Sequence, residues 1–255
     1  MSEFQEGYQP TPWVDVGGER IYGTRVRDLE PDDLEKLKLT PDALLHVTRH
    51  LVTLFPEARA QLLGLQRTDE NGATHPIDDG FVAAQLAAAG SKFHPSVQDP
   101  EKVIAWAMEQ FAQALREGKK LPWVESLATG ERSVSMTVTA TADDKRFLGI
   151  PPGESMGNGS VIPVTPELAP RVVQEQRGKG EAKDRIVVNV ITGMDAPPTD
   201  QTILVLKQVK ATGQYEFYTA YTGVNSPKLP RPGEQQPDEL AYNQAWWDRH
   251  TFVKP

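Results

Sequence analysis

Arg132-Ser133-Val134-Ser135-Met136-Thr137-Val138-Thr139-Ala140-Thr141 alternates with a period of two. Val134, Met136, Val138 and Ala140 fall on one side and hydroxyl-bearing residues on the other, the pattern of a strand with one buried and one solvated face. The stretch also marks a change of texture. Before it the apolar residues recur at helical spacing, and after it they come in short strand-like runs. It therefore decides the fold class.

Working upstream, Asp99-Pro100-Glu101 opens the strongest helical pattern in the chain. Asp99 caps, Pro100 occupies the first turn, and Val103, Ile104, Ala107, Phe111 and Leu115 follow before Gly118. Thr40-Pro41-Asp42 predicts another start, with Leu44, Val47, Leu51 and Leu54 on one stripe. Pro56 bends or ends that helix, and the pattern resumes through Ala58, Leu62 and Leu65. Arg67–Gly80 reads as a polar loop around Asn71-Gly72, and Gly80–Gly90 as an alanine-rich helix. Glu30-Pro31-Asp32-Asp33 starts a short helix. Residues 1–30, rich in Gly, Pro and aromatics, read as an extended arm or a short surface hairpin.

Downstream, residues 149–160 form a turn-rich connector. Val161-Ile162 and Ile186-Val187-Val188-Asn189-Val190-Ile191 read as buried strands. Ile203–Lys207 and Tyr215–Tyr221 read as a hairpin closed through Ala211-Thr212-Gly213. Residues 225–237 are a Pro-rich linker, and Glu239–His250 a last helix with Leu240, Asn243, Trp246 and Trp247 available to dock. The expectation is an α+β fold: a helical N-terminal half, a mostly antiparallel sheet, and a closing C-terminal helix. The arm (1–30) precedes a single domain over 31–255. Within it, 31–120 is helical, 130–222 β-rich, and 225–255 linker and helix.

Composition excludes several classes of function. With no cysteine among 255 residues, disulfides, thiolate metal sites and thiol nucleophiles are out. A hydrophobic share of 38% with 24% charged residues is that of a globular chain, not a disordered one. No secretory signal or spanning segment is expected, and a cytoplasmic location is. A net charge of −8 disfavours broad, non-specific attraction to nucleic acid or anionic lipid. The one basic stretch, Arg171–Arg185, mixes five Lys/Arg with three acids and reads as a solvated loop.

Four groups of residues bear on chemistry. His46 and His50 stand at i, i+4, a spacing that can share a metal. No third ligand is evident, and both read as boundary residues beside the apolar stripe. Gly153–Gly159 has glycines but no lysine, so it is a turn and not a phosphate loop. In Tyr215–Thr222, strict alternation puts Tyr215, Phe217, Thr219 and Tyr221 on one face. A buried face carrying both Thr219 and Tyr221 needs partners for their hydroxyls, whereas a half-exposed edge strand does not. His94, in the loop before the Asp99 helix, is free to reach a cleft.

A histidine loop, an Asp-Pro-Glu-x-Val-Ile helix, strands, and a closing Ile-Leu-Val-Leu-Lys…Gly-x-Tyr-x-Phe-Tyr-Thr-Ala-Tyr hairpin resemble the barnase–EndoU–colicin–RelE class of ribonuclease domains over about 94–221. The resemblance implies a toxin-like, metal-independent ribonuclease. His94 would be the general acid or base, and Thr219 and Tyr221, with Tyr218, would contact the scissile phosphate. Arg185 or Lys207 would supply positive charge, and His250 a second proton carrier. The 2′-hydroxyl would attack the adjacent phosphate, a reaction needing a proton acceptor, a donor and phosphorane stabilisation, with no cofactor and no metal. RNA is then the partner.

The rival reading is a non-enzymatic binding module whose partner, or inhibitor, is a protein docked on Trp13, Trp123, Trp246 and Trp247. A third is a small-molecule enzyme using Asp143, Asp144 and Asp200, whose spacing does not recommend them. The oligomeric state is not legible.

Overall fold

The structure is a computed structural model, and it describes residues 14–16, 19–21, 25–29, 34, 40–68, 72–88, 90–125, 132–177, 186–208, 215–233 and 235–255. Arg185, the turn at 209–214 and the short helix expected from Glu30 fall outside them.

Helix α1 (Pro41–Thr48) starts where its signals say. Thr40 Oγ1 accepts the Ala43 N–H at 3.2 Å, and Pro41 takes the first turn. It ends at Thr48, short of the sequence stripe, but Leu51 still buries fully as the chain leaves the helix. Pro56 does not bend it; it opens a new helix, α2 (Pro56–Leu63). A small hairpin of β4 (Gln66–Thr68) and β5 (Thr74–Pro76) precedes α3 (Asp79–Ala88), and a two-residue strand β6 (Lys92–Phe93) follows it. Helix α4 (Pro100–Arg116) is the longest described. Asp99 caps it, and it buries Val103, Ile104, Trp106, Ala107, Phe111 and Ala114 along one stripe. Each large side chain buried there contributes roughly 1.5–3 kcal/mol.

The main sheet is antiparallel throughout, in the order β15 (Tyr215–Thr222), β14 (Gln201–Gln208), β8 (Arg132–Thr139), β7 (Pro122–Glu125), β3 (Arg25–Asp28). Residues 25–28 thus form the outer strand of this sheet. β1 (Val14–Val16) and β2 (Glu19–Ile21) pair with each other. In β8, Val134 and Met136 are buried and join Leu204 and Leu206 of β14 under α1 and α4. The opposite face carries Ser133, Ser135 and Thr137, as the alternation requires.

Thr141, read as the end of that strand, instead caps a helix, α5 (Ala142–Leu148). Its hydroxyl accepts the Asp144 N–H while the Asp144 carboxylate accepts the Thr141 N–H, a reciprocal capping box. Asp144 also accepts Trp106 Nε1–H at 2.8 Å and an N–H of Gln110 at 2.9 Å, tying α5 to α4. The connector contains β9 (Gly157–Asn158), which lies between β6 and β13 (Pro198–Thr199).

A second sheet runs β10 (Val161–Pro163), β16 (His250–Lys254), β12 (Ile186–Thr192), β11 (Val173–Arg177), with β12 and β16 parallel. The strand at Ile186–Ile191 is not buried on both faces: Ile186, Val188 and Val190 make a small core with Leu229 and Phe252, while Val187 is exposed. β10 is half-buried. The last helix, α6 (Pro237–Trp247), ends before His250, which begins β16. The chain is an α+β protein, although strands also occur among and before the N-terminal helices. No described helix is long and apolar enough to cross a membrane.

Candidate functional site at the α1–β15 junction

The geometry of the site begins with a register shift. β14 and β15 pair Leu206 with Phe217 and then Val205 with Thr219, so Tyr218 is an extra residue. Such a bulge interrupts the two-residue alternation. Tyr215, Phe217 and Ala220 therefore turn into the core with Leu204 and Leu206. Thr219 and Tyr221 pair with Val205 and Ile203, on the other face. The single face expected for Tyr215, Phe217, Thr219 and Tyr221 is thus divided in two. Thr219 is 7% exposed, and its Oγ1 is buried with no hydrogen-bond partner among the described residues. Buried hydroxyls are normally satisfied, so an orphan one marks a place worth explaining.

α1 packs against β15 and lays its two histidines beside the two tyrosines. The His46 ring lies 4.5 Å from that of Tyr218, and the His50 ring 5.5 Å from that of Tyr221. Lys207 brings its ammonium to 5.3 Å from the Tyr218 ring centroid. Burial, joined by the charges of Arg49 and Lys207 and opposed by Asp42, lowers His46 to about 4. Burial likewise lowers His50 to about 4, against a Ser91 backbone contact that raises it. Both imidazoles are neutral at pH 7. His50 Nδ1 sits 3.2 Å from the Ser91 carbonyl and 3.0 Å from the Ser91 hydroxyl, which hold the ring in place.

β6 joins this junction to the His94 loop. The Phe93 N–H donates to His50 O at 2.8 Å, and Thr222 Oγ1 lies 2.8 Å from Asn158 O and 3.1 Å from Lys92 O. Lys92 points back and donates to the carbonyls of Arg49 (2.6 Å), Leu51 (3.2 Å) and Leu86 (2.5 Å), holding the ends of α1 and α3 together. Gly157 makes this crossing possible, since a Cβ there would stand 2.2 Å from Lys92 O.

Of the residues singled out in the sequence, Tyr218, Thr219, Tyr221 and Lys207 gather on the β14–β15 hairpin beside α1. His94 stands one residue beyond Phe93, with Nδ1 2.8 Å from Ser96 Oγ and its N–H bonded to Met156 O at 2.9 Å. His250 belongs to the second sheet. Its ring stacks on Trp246 at 3.6 Å, and its Nδ1 lies 2.8 Å from the Trp246 carbonyl. Trp247, an expected docking anchor, is 3% exposed and donates its indole N–H to the carbonyls of Pro227 and Lys228. Asp143 pairs with Arg146, Asp144 builds the α5 cap, and Asp200 holds Lys145 and the Met156 N–H.

Sequence reasoning left His46 and His50 as boundary residues. Their shared helix face was visible in the i, i+4 spacing, but the tyrosines they meet lie more than 160 positions away. Among the described residues no group of three or more His, Asp or Glu side chains converges as metal ligands would.

No protein-family model matches the chain, and no curated protein matches it. Among solved structures it is similar to a conserved hypothetical protein from Toxoplasma gondii ME49, known from a 2.35 Å crystal structure. The identity is 9% and the TM-score 0.34, over 57% of this chain and 83% of that one. A likeness at that level carries no argument about fold or function.

Proposed function

We propose that the α1–β15 junction is an RNA-cleaving site that works by general acid/base transphosphorylation, without a metal. The observation that supports it most is one cluster: a neutral imidazole (His46), a phenol (Tyr218) and an ammonium (Lys207), next to the orphan hydroxyl of Thr219. Cleavage through the RNA 2′-hydroxyl carries its own nucleophile. The protein need only accept one proton, return one, and stabilise negative charge on the phosphorane.

In this reading His46, unprotonated at pH 7, accepts the 2′-hydroxyl proton as O2′ bonds to phosphorus. Lys207, whose ammonium stands beside the Tyr218 ring, stabilises the equatorial oxygens. O5′ departs with a proton from a hydroxyl, and the phenol O–H groups of Tyr218 and Tyr221 stand beside the two histidines to give it. His94, the general acid or base of the sequence-based reading, stands one residue from the strand that bonds to His50.

Full-length protein is incubated in EDTA with fluorescent mixed-sequence RNA, beside His46→Ala, His94→Ala and Thr219→Val. Chelator-resistant cleavage giving 2′,3′-cyclic ends, and falling at least a hundredfold in His46→Ala, is the expected result. Absence of cleavage by protein that is folded by circular dichroism overturns the proposal. Loss confined to His94→Ala moves the base from α1 to the β6 loop.

A further inference from the structure

Two of the exposed large apolar side chains among the described residues belong to one region: Phe55 (50% exposed) and Phe147 (49% exposed). Phe55 lines a groove of about 290 Å³ with Val97, Gln98, Asp99, Lys102 and Leu148. Ser96, also on the groove, is the residue whose hydroxyl lies 2.8 Å from His94 Nδ1. Phe147 adjoins the lining residue Leu148, and the Lys102 ammonium stands 5.3 Å from its ring centroid. Two aromatic rings are thus left half in water around one concavity, each on an otherwise ordered element.

We infer that this groove binds a nucleobase. Its volume is at the bottom of the roughly 300–1,000 Å³ range of ligand pockets, enough for one ring system and not for a length of folded peptide. Its polar groups are of both kinds. Asp99 Oδ1 already accepts the N–H groups of Glu101 and Lys102, which leaves Oδ2 to accept from a ligand. Gln98 donates one amide hydrogen to Pro95 O and keeps its carbonyl oxygen and second hydrogen. A base edge presents donors and acceptors to match. The charges sort the ligand's orientation: the half-buried carboxylate of Asp99 disfavours an inserted anion, whereas the exposed ammonium of Lys102 suits a phosphate outside the groove. A neutral heterocycle on an anionic backbone has that arrangement. Stacking on exposed aromatic rings tolerates every base, because each has a π-face.

This deepens the ribonuclease reading, on which it rests for its natural ligand. A base held here would set the adjoining phosphate on the side of His94.

The test is amide chemical-shift mapping of the ¹⁵N-labelled full chain with the four 3′-mononucleotides and with ribose 5-phosphate, which lacks a base. Nucleotides should move the amides of Ser96, Val97, Gln98 and Gly149, and ribose 5-phosphate should not. Phe55→Leu and Phe147→Leu should each weaken binding about 5- to 150-fold, the range for losing one stacking partner; both positions are half-exposed, and Phe55→Tyr, which keeps the ring, should bind normally. Equal shifts with ribose 5-phosphate, no shifts at these amides, or unaltered affinity in both leucine variants would each overturn the inference. Nucleotide binding here without RNA cleavage leaves it standing and removes the ribonuclease; cleavage without binding here does the reverse.

Discussion

The ring of His46 rests against that of Tyr218, centroids 4.5 Å apart and planes tilted by 42°. The contact exists because Tyr218 is the bulged residue of β15, displaced from the regular alternation of its strand. Tyr218 is itself 36% exposed, so it shelters the imidazole while remaining open to solvent. Removing the phenol ring in Tyr218→Ala lets water reach His46. Its pKa, now about 4, should climb toward the ordinary 6.5, and an NMR titration of the His46 ring protons would read the change.

The two neutral histidines make stability depend on pH. His46 and His50 titrate at about 4 in the folded chain against 6.5 ordinarily, so between those values the unfolded chain binds more protons. Stability is then full above about pH 6.5 and is lost as pH falls toward 4. Allowing for the partial solvent screening of both rings, the loss is roughly 1–3 kcal/mol in total. Urea unfolding at pH 7 and at pH 4.5 should show it, and a His46→Gln/His50→Gln double variant should show less.

Asp144 closes the capping box of α5 and accepts from Trp106 and Gln110. Burial alone would raise its pKa, but hydrogen bonds from Thr141, Trp106 and Gln110 more than offset this and hold it below the usual carboxylate value. Asp144→Ala removes the carboxylate half of the capping box and strands the indole N–H, a loss of about 2–3 kcal/mol. A chemical-denaturation midpoint at pH 7 measures it.

Gly157→Ala tests the crossing of β6 and β9. The added methyl would meet Lys92 O at 2.2 Å and Phe93 Cα at 2.8 Å, both backbone, so the strands must separate. A loss of about 3 kcal/mol or more is expected, the scale of severe overpacking. Thermal melting would show a fall in Tm, and a variant as stable as the parent would contradict the crossing.

Lys92→Met keeps the aliphatic stem and deletes the ammonium that serves three carbonyls. Those acceptors lie at the ends of α1 and α3, and the loss should be about 2–4 kcal/mol. Hydrogen exchange should quicken at the C-terminal turns of both helices, leaving α4 protected.

What the sequence determined is local. Thr40-Pro41 and Asp99-Pro100 each place a cap and a proline where a helix can begin, and both helices begin there. The alternation in 132–139 specified which side of β8 would bury, because successive side chains of a strand must point to opposite faces. Thr141-Ala142-Asp143-Asp144 also holds its own signal, a capping box read too readily as the tail of a strand. Tertiary structure decided the rest. Strand pairing is non-local, and nothing within Tyr215–Thr222 announces that its bulge falls at Tyr218, since the register comes from β14. That single displaced residue sends Thr219 away from Phe217 and sets Tyr218 against His46. Likewise His46 and His50 read as rim residues until β15 is laid beside α1. Only then does burial, which acts through neighbours remote in the chain, lower both from 6.5 to about 4.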